Sequence, residues 1–109
     1  MAATHKKLGS GQLAATAGDL YAPGSSETGM VKTVVLHNTD TVDRVATVYF
    51  TGSSASDKLL NVTLNADETF EWSVGHMVVL DGSVPEKLQG EADSGSTVNY
   101  FIFGAEEPQ

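Results

Sequence analysis

Hydrophobic and polar residues alternate along much of this chain with a period of two, the spacing of strands that bury one face. "KLLNVTLN" (58–65) shows it most cleanly, with Leu60, Val62 and Leu64 on one side and Leu59, Asn61 and Thr63 on the other. In "RVATVYFTG" (44–52), Ala46, Val48 and Phe50 oppose Val45, Thr47 and Tyr49. "MVKTVVLHN" (30–38) is apolar on both sides, with Val31, Thr33 and Val35 against Val34 and Leu36, which predicts a central strand. "TFEWSV" (69–74) sets Phe70, Trp72 and Val74 inward and Thr69, Glu71 and Ser73 outward. A turn at "GH" then predicts a separate strand over "MVVLDG" (77–82). "EKLQGEAD" (86–93) is short and polar, the mark of an edge strand, and "TVNYFIFG" (97–104) is a last strand, aromatic on both sides. Near the start, "QLAAT" and "DLYA" can pair as a ragged first strand.

Turn residues separate these runs: "NTDTVD", "GSSASD", "ADE" and "DSGS". No window carries a helical apolar stripe free of Gly or β-branched clusters. The pattern therefore predicts an all-β, single antiparallel β-sandwich of about seven or eight strands, immunoglobulin-like or jelly-roll-like, with a closed barrel as the neighbouring solution. The expected organisation is a flexible N-terminal arm over 1–24, a sandwich over 25–105 and a solvated acidic tail over 106–109.

At 109 residues the chain is one domain large enough to bury a core without staples. It has no cysteine, which removes disulfides, thiol nucleophiles and thiolate metal ligands. Six Lys+Arg against 14 Asp+Glu give a formal charge of −8. That balance disfavours a nucleic acid or an anionic membrane as partner. The N-terminal lysines lack a following apolar run, so no secretory signal is expected, and no stretch is long and apolar enough to span a bilayer. The expectation is a soluble chain made in the cytoplasm.

Candidate chemistry concentrates in "DETFEWSVGHMVVLDG" (67–82), which holds Asp67, Glu68, Glu71, His76 and Asp81 beside the single tryptophan. Period-two alternation scatters these acids over a strand face and two turns. A metal site would need His37 and His76 to meet, with Asp81 as third ligand. Metal-binding sandwiches of the cupin type place two histidines one residue apart, and that spacing is missing. No serine occupies a G-x-S-x-G elbow, and the "GSG" and "GSS" runs lack the following helix that cradles a phosphate. "NVT" (61–63) matches a glycosylation sequon by chance on this reading. Trp72 with Phe70 would be a sugar-stacking platform if exposed, but their alternation points them into the core. Tyr49 and Tyr100 are the expected exposed aromatics of an interface. No catalytic residue, metal ligand or cofactor is assigned.

"LGSGQLAATAGDLYAPG", "VKTVVLHNTDTVDRVATVYF", "LNADETFEW", "VVLDG" and "LQGEAD" together resemble a group of small virion structural proteins of tailed bacteriophages. The matching residues are Gly11, Gln12, Leu13, Leu20, Tyr21, Pro23, Val31, Lys32, Asn38, Thr39, Glu68, Thr69 and Gly82. Ser83 departs from the pattern, where Asp is usual. The resemblance implies a compact β-sandwich and a non-enzymatic place in a virion. The first expectation is a decoration (cement) protein that binds the assembled shell, with the major capsid protein as partner and a self-associated ring or trimer as its form. A neck, tail or fibre-adaptor position is the second. A glycan-binding or host-attachment module built on Trp72 is the alternative of another class. Contacts are expected on the arm, through Leu8, Gln12, Leu13, Leu20 and Tyr21, and on aromatic strand residues Tyr49 and Tyr100.

Overall fold

The computed structural model describes residues 3–81 and 85–108, the side chain of His76 excepted. Its described residues form eight strands: β1 (Thr4–Gln12), β2 (Gly18–Tyr21), β3 (Glu27–Asn38), β4 (Arg44–Phe50), β5 (Lys58–Leu64), β6 (Thr69–Leu80), β7 (Leu88–Ala92) and β8 (Val98–Pro108). A single 3-10 turn at Ala55–Asp57 precedes β5. One sheet runs β1-β8-β3-β6 and the other β2-β7-β4-β5, with every pairing antiparallel. First pairs with last, second with seventh, third with sixth and fourth with fifth. A long folded hairpin rolled across two sheets gives this order, so the sandwich is a jelly roll rather than an immunoglobulin-like fold.

The core lies between the sheets. Val31, Val34 and Leu36 of β3, Val79 of β6 and Val98 and Ile102 of β8 meet Ala46 and Val48 of β4, Leu64 of β5 and Leu88 of β7. All are fully shielded from solvent. Burying each Val, Leu or Ile contributes about 1.5–3 kcal/mol before entropy is counted.

Four sequence expectations change. The segment read as an arm is part of the fold: β1 pairs with β8 along its length and β2 pairs with β7. Leu13 and Leu20 are core, as is Tyr21. The acidic tail through Pro108 is the end of β8, with Glu106 and Glu107 in register with Gly29 and Thr28; Gln109 lies outside the described residues.

The segment 86–93 is not an edge. β7 lies between β2 and β4, because Leu88, Gly90 and Ala92 face the core while outward Gln89 and Glu91 find partners on neighbouring strands. The "GH" at 75–76 does not end a strand. β6 runs through it as an irregularity, with Gly75 at φ +88°, a backbone region that glycine enters without strain.

That irregularity belongs to a row of them. β3 carries an extra residue between Val31 and Thr33 relative to β8, and β1 carries one between Lys7 and Gly9. Each bulge reverses which alternate residues face inward. Val31 therefore shares the core face with Val34 and Leu36, and not with Thr33 and Val35 as strict alternation requires.

Candidate functional site

The residues singled out in 67–82 do not converge. His37 is in register with Thr69, and His76 lies seven positions further along β6, roughly 20 Å away at strand rise. His37 Nδ1 is 2.7 Å from Thr69 Oγ1, and its Nε2 is 3.2 Å from Asp67 Oδ1. Glu68 accepts from the Asn65 N–H at 2.7 Å, closing the β5–β6 turn. Asp81 accepts from the Ser26 N–H at 2.8 Å. Glu71 points to solvent on β6. Among the described residues no three of His, Asp and Glu are grouped so as to hold a metal ion. Trp72 packs half-buried against the core from the inner face of edge strand β6, beside Phe70 and Val74.

Tyr100 faces the core, whereas Tyr49 lies on the outer side of β4 beside Gln89 and Glu91, and both are largely covered. Tyr49 and Tyr100 are 5 % and 8 % exposed, so neither presents a ring to a partner. The Tyr49 hydroxyl donates to Glu91 at 2.6 Å, and that bond, with burial behind it, raises its pKa. Burial does the same for Tyr100. Tyr21 donates to Glu106 at 2.6 Å across the open end of the sandwich, where Lys6 also meets Glu106 at 2.6 Å. Burial first, and then this bond to a carboxylate, push the Tyr21 pKa well up. Of the other expected contacts, Leu13 and Leu20 are core and Leu8 packs against it. Gln12 is exposed and donates to Asn99 at 3.1 Å. On the end strand, Tyr100 is on the buried side. Tyr100 lines up with inward Val98 and Ile102, which leaves Phe101 and Phe103 facing out.

Those phenylalanines identify the face that stands out. Register places residues of all four strands in rows on the outer side of the β1-β8-β3-β6 sheet. Ser10, Phe101, Val35 and Glu71 make one row, and Lys7, Phe103, Thr33 and Ser73 the next. His5, Ala105, Met30 and Val78 follow, and then Glu107, Thr28 and Leu80. Among the described residues six large hydrophobic side chains are exposed, and four of them, Val78, Leu80, Phe101 and Phe103, share this face. Scattered exposed apolar residues are ordinary on a soluble protein, whereas a contiguous group on one sheet face is the usual form of an interaction surface.

The β1 side of this face is cationic. A shallow groove of about 500 Å³ has His5, Lys7, Lys32, Thr33 and Phe103 on its walls. The bulges of β1 and β3 flank it, and Lys32 is the extra residue of its bulge. Neither Lys7 nor Lys32 takes part in an ion pair among the described residues, whereas Lys6 is engaged by Glu106. Lys6, Lys7 and Lys32 are three of the six Lys+Arg in a chain of charge −8, so the basic residues are concentrated against the overall balance.

Sequence reasoning missed this face. The alternation of Phe101 and Phe103 with Ile102 was visible, but only the strand order brings 5–7, 30–35, 78–80 and 101–105 together. No protein-family model matches the chain, and no curated protein is significantly similar to it.

Proposed function

We propose that this chain is a non-enzymatic structural protein of a tailed-phage virion, and specifically a decoration protein that docks on the assembled shell. The observation that carries the reading is the exposed apolar face on the outer side of the β1-β8-β3-β6 sheet, edged by Lys7 and Lys32. A rigid sandwich with one such face is suited to adding buried area to a preformed lattice, which stabilises the lattice by mass action. The sequence resemblance supports the same reading. Its motif residues Leu13, Leu20, Tyr21, Val31 and Asn38 are all buried here, so the shared pattern is one of packing and turns. Fold alone does not assign a role, since jelly rolls serve capsids, lectins and enzymes alike. Self-association as a ring or trimer around a symmetry axis of the shell, with the major capsid protein as partner, completes the proposal.

The glycan-binding alternative built on Trp72 loses its main support, because the ring lies on the inner face of β6. The test is to mix the purified chain with otherwise complete particles that lack it and image the product. Copies spread over the shell at symmetric positions are expected. Copies confined to one vertex or the tail would make it a neck or tail component. No binding would overturn the virion reading.

A further inference from the structure

We propose that the groove between β1, β8 and β3 receives an extended acidic segment of a partner polypeptide, its apolar side chains on Phe103 and Phe101 and its carboxylates on Lys7 and Lys32. The proposal deepens the virion reading and rests on it for the source of the segment.

Charge complementarity decides the occupant. A second copy meeting this groove in a two-fold contact would set Lys7 and Lys32 against the same two lysines, so self-association uses other surfaces of this acidic chain. The groove is the local exception. Lys7 and Lys32 stand on either side of Phe103, in or beside the same cross-strand row, without a carboxylate bound to either among the described residues. His5 adds a third nitrogen-bearing side chain one row away. Within that row the outward neighbours of Phe103 are Lys7, Thr33 and Ser73, so no acid of the sheet lies opposite either lysine. Glu71 is a row away on the far edge strand, and Glu107 lies two rows away. A nucleic-acid backbone would meet the charge of the rest of the molecule, and the groove offers too few cations to hold it.

The shape supports a chain segment over a compact ligand. The groove is open and shallow, and it is continuous with the exposed surface of Phe101 and with Met30, Val78 and Leu80 beyond Ala105. A peptide lying across the strands can therefore place alternate side chains on the aromatic surface and at the lysine edge.

The test uses the full chain labelled with nitrogen-15. It is titrated with a short peptide of alternating Asp and Leu, with the same peptide carrying Lys for Asp, and with a uronic-acid oligosaccharide. Saturable shifts of the Lys7, Lys32, Thr33 and Phe103 amides with the acidic peptide alone are expected. The double change Lys7→Glu with Lys32→Glu should weaken that binding about tenfold, the effect of losing two partly exposed charge pairs. Both positions are exposed, so the variant is expected to fold, and its amide spectrum checks that directly. Shifts mapping elsewhere, equal binding by the charge-reversed variant, or no binding by the acidic peptide would each overturn the proposal. Preference for the oligosaccharide in the groove would overturn it in favour of an acidic glycan. Particle binding separates the two levels. Wild type and variant decorating particles equally would leave the virion reading standing and remove this groove from it. Peptide binding without particle binding would do the reverse.

Discussion

Replacing Asn38 by alanine should cost about 3 kcal/mol of folding stability, although the residue touches no surface. Its side chain is fully buried where β3 ends. The two amide protons serve three carbonyls, those of Val42 at 2.9 Å, Leu64 at 3.1 Å and Asn65 at 3.1 Å. Its carbonyl oxygen accepts from the Asp40 N–H at 2.9 Å. One side chain thus fixes the β3–β4 turn and ties it to the end of β5. A satisfied hydrogen bond contributes about 1 kcal/mol net, but a partner stranded away from water costs about 1–3 kcal/mol. The Leu64 carbonyl is the buried partner and bears most of that cost. Water can reach the part-buried Val42 and Asn65 groups once the amide is gone, so they cost less. Against a total of about 5–15 kcal/mol for a chain of this size, 3 kcal/mol is large. Urea unfolding followed by Trp72 fluorescence measures it, with the midpoint moving down by about 1–3 M at an ordinary m-value.

Asn38→Asp sharpens the test. It keeps the acceptor for Asp40 but turns a carboxylate toward three carbonyl oxygens. Its folded pKa must then rise above the unfolded value of about 3.9. The extra penalty is absent below that value and grows as pH rises through it, so the Asp variant should be the less stable of the two at neutral pH and recover in acid. A loss under about 1 kcal/mol for the Ala variant, or a pH-independent difference between the variants, would refute the reasoning.

Three further outcomes follow from the packing. Trp72→Ala should cost about 2 kcal/mol, less than the 3–5 kcal/mol of a fully buried ring, because edge strand β6 leaves it half-exposed; a thermal melt resolves the two values. Glu106 is held below the usual carboxylate range: its burial opposes the charge, but Lys6 and the Tyr21 hydroxyl more than offset that. Its contribution is therefore complete above about pH 4.3 and lost as pH falls through the lowered value, so the stability gap between wild type and Glu106→Gln should close in acid and not at neutral pH. Gly104→Ala should destabilise the fold by more than the span of strand propensities, about 1 kcal/mol, because the new Cβ would press on the Met30 carbonyl of the neighbouring strand, and denaturant unfolding reads this directly.

The strands were legible wherever alternation was clean. Leu60, Val62 and Leu64 face inward on β5 as their spacing requires. Glu71 faces out and Trp72 in. What alternation cannot carry is a bulge, since one extra residue at Lys32 puts Val31 on the side that counting assigns to Val34. It also cannot choose a side when both are aromatic, as on β8, where Tyr100 is buried and Phe101 and Phe103 are exposed. Polarity misplaced β7, because Gln89 and Glu91 are polar residues satisfied by neighbours rather than by solvent. The candidate face was illegible for a different reason: it is a property of strand order, assembled from four segments far apart in the chain.

The pairing of first strand with last has a consequence for how the molecule is made. Strand β8 is interior to its sheet, held between β1 and β3, yet it follows every other described strand along the chain. Until it is in place, β1 has no partner in its sheet and the β3 edge that pairs with β8 is open. Pairings this distant in sequence also make folding slow. A nascent chain stalled before Val98 is accordingly not a slightly shortened protein but one with the middle of a sheet missing. The β1-β8-β3-β6 sheet therefore closes only when β8 docks, and β1 through β7 alone hold a sheet split into two parts.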